Sequence, residues 1–146
     1  MRTMNRRRSR QAGITLIEML VVVTIIALFV GLVGVNILKQ GDKARVTAVR
    51  AEIENLENAL TLFKLDTGLF PATSTGLQAL RQKPDNVANW AGPYLAKDVP
   101  QDAWGRPYLY KYPGEHGEAP DLLSLGADGQ PGGEGYDADI VSWSNK

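Results

Sequence analysis

No cysteine occurs in the 146 residues. That excludes a disulfide framework and any thiolate metal site, so an exported domain of this chain needs another staple. Histidine is nearly as scarce. The single one, His116, lies among Gly114, Glu115, Gly117 and Glu118 and reads as an exposed turn residue. Ser124 and Ser142 are therefore left without a base of the kind nucleophilic catalysis needs. There is no phosphate loop, dinucleotide fingerprint or internal repeat. Trp90, Trp104 and Trp143 read as core or interface aromatics rather than a ligand box. Nothing supports an enzyme. The length suits one modest domain.

Acid is missing from the start of the chain, where Arg2, Arg6, Arg7, Arg8 and Arg10 precede the first apolar run. That run, residues 14–38, is ITLIEMLVVVTIIALFVGLVGVNIL, with Glu18 as its one charge. As a helix it extends roughly 37 Å, enough for a hydrocarbon core of about 30 Å. It is apolar all round, which favours a lipid span over a surface helix. A secretory signal has an apolar core of only about 7–15 residues followed by a small-residue cleavage site, and neither feature is present. The arginines predict a cytoplasmic N-terminus and an exported remainder. A plain signal anchor shares these properties. Glu18 does not fit an anchor, because a carboxylate at the bilayer centre costs on the order of 2.5–3.5 kcal/mol on insertion scales. It calls for a cation.

Beyond Gly41 the pattern turns amphipathic. Val49, Ile53, Leu56, Leu60 and Phe63 share one helical face, and Arg50 with Glu54 makes an i,i+4 pair on another. No proline interrupts residues 14–70. One helix is predicted from Ile14 to about Asp66, ending before Gly68 and weakened at Gly31, Gly34 and Gly41. From Gly68 onward glycine and proline recur. Residues 76–81 predict a short helix and residues 86–100 a loop. Residues 108–112, 122–125 and 140–143 predict strands. Antiparallel strands against a helix make an α+β domain.

The junction Gly13-Ile14-Thr15-Leu16-Ile17-Glu18 resembles the class III signal of type IV pilins and pseudopilins, although phenylalanine is the commoner residue after the cut. The resemblance implies that a prepilin peptidase cleaves between Gly13 and Ile14 and that Ile14 becomes N-methylated. The cut removes five arginines and leaves 11 basic and 16 acidic residues. That acidic balance argues against nucleic acid as a partner. Glu18 then lies one helical turn from the new amino group, its own or a neighbour's, and pairing with it would set the register between subunits.

The likeness extends along the chain through Asp66-Thr67-Gly68-Leu69-Phe70-Pro71, Gly76-Leu77-Gln78-Ala79-Leu80, Gly92-Pro93-Tyr94-Leu95, Trp104-Gly105-Arg106-Pro107-Tyr108 and Ser124-Leu125-Gly126-Ala127-Asp128-Gly129. Together these blocks resemble the major pseudopilins of type II secretion. The resemblance implies a pilin-like fold: a cleaved leader (1–13), a transmembrane helix half (14–38), an amphipathic helix half (39–66) and a periplasmic globular region (67–146). It implies a structural subunit of the secretion pseudopilus, which drives export of folded proteins across the outer membrane. The protein would be anchored in the bacterial inner membrane by a single pass. Its implied partners are copies of itself, minor pseudopilins, the inner-membrane assembly platform, the prepilin peptidase and membrane lipid. The alternative is a subunit of another pilin-like filament, for DNA uptake or adhesion.

Residues 125–139, LGADGQPGGEGYDAD, hold three aspartates and a glutamate among glycines. Hard cations take six to eight oxygens from carboxylates and carbonyls, which such a loop can supply. A solvated acidic turn has the same composition. An EF-hand match fails, because Gln130 and Gly132 stand where Asp or Asn is needed. The family resemblance implies calcium, with Asp128 and Asp139 as carboxylate ligands, Leu125 and Gln130 as carbonyl ligands, and Asp137 as the alternative second carboxylate.

Overall fold

The computed structural model describes residues 13–145, and the side chains of residues 32–40 and 145 lie outside that description. The leader's arginines lie outside it as well. Helix α1 runs Leu16–Thr67, within two residues of the bounds that periodicity predicts, and it continues through Gly31, Gly34 and Gly41. Contacts divide the chain into two compact units, Met1–Lys39 and Gln40–Lys146.

In the first unit the large apolar side chains described between Ile14 and Val30 are all exposed, from 44% at Val22 to 85% at Leu16. Among the described residues no helix is long and apolar enough to cross a membrane. The described side chains of this apolar half end at Gly31.

The second unit holds the entire described core. Val49, Ile53, Leu56, Ala59, Leu60 and Phe63 form one buried stripe of α1 at three- and four-residue spacing, the pattern of a helix with one covered face. The stripe packs with Leu77, Ala79, Leu80, Tyr108, Leu122 and Ile140. The short helix expected over 76–81 is a 3-10 helix, Gly76–Leu80, which delivers Leu77, Ala79 and Leu80 to this core. The 86–100 loop is pinned to it. Trp90 Nε1 donates to Ala79 O at 2.8 Å, and Tyr94 donates its hydroxyl to Asp66 Oδ2 at 2.8 Å.

Three short strands, β1 (Leu109–Lys111), β2 (Asp121–Ser124) and β3 (Ile140–Val141), form an antiparallel sheet in the order β1-β2-β3. Leu109 pairs with Leu123, and Ser124 with Ile140. The third strand is two residues shorter than predicted. Ser142 Oγ accepts the N–H of Leu122 at 3.2 Å, and the chain coils there into a 3-10 turn, Ser142–Asn145. The result is an α+β architecture.

His116 is exposed, as expected of a turn residue, but it is not free. Its Nδ1 lies 2.9 Å from Asp121 Oδ2, and its ring stacks on Trp143 with centroids 3.9 Å apart. Burial pushes the Asp121 carboxyl up, while hydrogen bonds from Glu115 N–H and His116 outweigh that and hold it below the usual aspartate value.

Candidate functional sites

Gly13 and Ile14 lie in coil just ahead of α1, with Ile14 exposed. Thr15 caps the helix, its Oγ1 accepting the N–H of Glu18 at 3.3 Å. Thr15-Leu16-Ile17-Glu18 thus has the spacing of a capping box, a local helix-start signal within the leader junction. An acid in the first turn also complements the helix dipole by about 0.3–1 kcal/mol. Glu18 therefore has a local role at the helix start, independent of any pairing between subunits.

The 125–139 loop has two arms. On the first, Gly129 N–H donates to Leu125 O at 3.1 Å, and Asp128 Oδ1 accepts Gln130 N–H at 3.0 Å. This turn brings Leu125, Asp128 and Gln130 together. On the closing arm Asp139 Oδ2 accepts Gly132 N–H at 2.9 Å, and Asp139 N–H donates to Gly132 O at 3.1 Å. Ala127 N–H to Tyr136 O, at 3.0 Å, joins the arms. They cross at Gly126, whose φ is +61°; a Cβ there would meet Asp137 O at 2.6 Å and Ala138 O at 2.7 Å. Glycine is thus required on both counts. Asp128 and Asp137 are exposed and Asp139 is half-buried.

Beneath the first arm lies a cluster that sequence reasoning did not single out. Asp102 is buried, and its Oδ1 accepts the N–H groups of Trp104 (3.0 Å) and Arg106 (2.8 Å). Its Oδ2 accepts Ser124 Oγ–H at 2.7 Å and faces Arg106 Nε at 3.8 Å. The Arg106 guanidinium donates to Gly126 O and, at 3.4 Å, to Ala127 O. The Asp-x-x-Gly-Arg order signals the turn, but nothing local reveals that Arg106 reaches a loop twenty residues on.

Residues 36–143 match the family described as "Type II secretion system (T2SS), protein G", and residues 8–34 match the prokaryotic N-terminal methylation motif. The chain belongs to the type II secretion system protein G family. Type II secretion system core protein G of Pseudomonas aeruginosa is 42% identical over 95% of this chain and 99% of its own. Its counterpart in Vibrio cholerae is 41% identical over 95% of this chain and 96% of its own. The crystal structure of the major pseudopilin from the type 2 secretion system of enterohaemorrhagic Escherichia coli superposes with a TM-score of 0.63 at 34% identity, covering 75% of this chain and 95% of that one. These matches decide between the two filament classes that the sequence pattern left open. As a major pseudopilin, the chain is a structural subunit of the secretion filament.

The family resemblance implies calcium at the 125–139 loop. Among the described residues no three His, Cys, Asp or Glu side chains gather as a metal-binding group. A cation here must therefore draw on backbone carbonyls beside its carboxylates, which suits calcium and its oxygen shell. Asp139 Oδ1 is buried and lacks any hydrogen-bond partner, an acceptor left for a ligand to satisfy. The donor set fits.

Proposed function

We propose that this chain is made as a single-pass inner-membrane precursor, cut after Gly13, N-methylated at Ile14 and polymerised through α1. The observation that carries this reading is the exposure of the large apolar side chains described from Ile14 to Val30. Such a surface has no stable place in water and must be covered, first by lipid and then by neighbouring helices. The apolar sequence continues to Leu38, beyond the last described side chain of this half, which supports a lipid span over 14–38. In the filament, Glu18 would pair with the amino group of Ile14 on a neighbouring copy. That removes two charges from an apolar setting and fixes the axial step. Minor pseudopilins and the inner-membrane platform would meet the same helix, the prepilin peptidase its leader junction, and the domain from Gln40 onward would face the periplasm.

We further infer that the 125–139 loop binds calcium. Asp128 and the carbonyls of Leu125 and Gln130 serve from the first arm, with one carboxylate from the closing arm, Asp137 or Asp139. The bound ion supplies charge neutralisation and a staple in a chain without cysteine. Mass spectrometry of protein isolated from cells with active peptidase tests the processing. It should begin at Ile14 with one N-methyl group, whereas an intact chain from Met1 would overturn the reading.

A further inference from the structure

We propose that Arg106 is the positioning residue of the calcium loop, a built-in cation that shapes the first arm before metal arrives. This rests on the calcium reading above. Behind the guanidinium lies Asp102, whose Oδ2 is 3.8 Å from Nε, a charge contact without a hydrogen bond. That carboxylate is in turn held by Ser124 and by the backbone N–H groups of Trp104 and Arg106. In front it donates to the carbonyls of Gly126 and Ala127. A Cβ at Gly129 would collide with it, so the turn carrying Asp128 lies directly on the guanidinium.

The consequence is geometric. Between the two first-arm ligands Leu125 and Asp128, both intervening carbonyls accept from Arg106. With those two peptides fixed, the Leu125 carbonyl and the Asp128 carboxylate keep one relative placement. An arm containing Gly126 and Gly129 would otherwise sample many. A planar fork suits this task, since one guanidinium can serve two carbonyls at once where an ammonium offers only a point charge.

A second effect opposes the first. A fixed positive charge near the loop repels a divalent cation, and removing it should tighten binding if electrostatics dominates. The Asp102 carboxylate beside the guanidinium offsets that charge, leaving preorganisation as the larger effect. The two effects predict opposite signs for one variant.

The domain Gln40–Lys146 carries the whole described core and serves for the test. Calcium is titrated calorimetrically into the unmutated domain, Arg106→Ala and Arg106→Lys, and amide hydrogen exchange is measured in chelator. Arg106→Ala should weaken calcium binding by at least about tenfold, as loss of a residue supporting metal ligands does. In chelator its amides at 126–130 should exchange faster, while those of Leu122 and Leu123 in β2 keep their protection. Arg106→Lys should fall between, restoring charge without the fork. Unchanged or tighter binding by Arg106→Ala, or unchanged exchange at 126–130, overturns the proposal alone. An unmutated domain that binds no calcium overturns the calcium reading and this proposal with it.

Discussion

The two halves of α1 obey different rules. From Val49 to Phe63 apolar residues occupy one face and are buried, while the opposite side is polar or exposed. From Ile14 to Val30 apolar residues occupy every face and are exposed. Helical periodicity is a demand made by a core with one side. Where the periodicity vanishes without loss of apolarity, the partner must surround the helix. In the function proposed above, lipid does so before assembly and other helices after it.

The sharpest way to break this contrast is Glu18→Ala. It should eliminate filaments seen by electron microscopy while leaving the melting of the Gln40–Lys146 region untouched, since Glu18 lies outside that unit. Normal filaments from this variant would leave Glu18 with its helix-dipole role alone. Leu56→Ala should do the reverse by opening a cavity under a fully buried side chain, costing about 2–5 kcal/mol in urea unfolding of the domain. Leu65→Ala, on the same helix but 73% exposed, should stay within about 0.5 kcal/mol and serves as its control.

Smaller effects come from the C-terminal third. Calcium at about ten times Kd should stabilise the domain by roughly 1.4 kcal/mol, read as a higher melting temperature than in chelator. Asp128→Ala should erase most of that difference. The smallest effect expected is the acid dependence of Asp121. Its carboxyl titrates below the ordinary value in the folded domain. Its contribution is therefore present above the unfolded value of about 3.9 and is lost as pH falls through the folded one. Asp121→Asn should flatten the decline of stability below about pH 4 relative to the unmutated domain.

Periodicity and the Gly68 stop made α1 legible in the sequence almost to the residue, because a long helix is decided by local pattern. The strands were legible in place but less so in length: β3 stops at Val141 because a distant amide, that of Leu122, bonds to Ser142. The acidic residues of the loop were visible as a composition. The cluster beneath them was not, since Asp102, Arg106 and Ser124 meet only after β2 and the Trp104 turn fold together. His116 reads as an exposed turn residue and is exposed, but its stacking on distant Trp143 has no sequence signal. Contacts spanning tens of residues leave no local trace.

The sheet's borders bear on a hazard for any subunit of a filament. An exposed strand edge invites a second mode of polymerisation, strand upon strand, which would compete with filament growth. Here one border strand, β3, is two residues long and turns at once into a 3-10 coil. The other, β1, is three residues long, carries Lys111 and runs into Pro113. Neither offers a template long enough to recruit another chain. The fold thus withholds the competing route and leaves growth to the apolar helix surface proposed above.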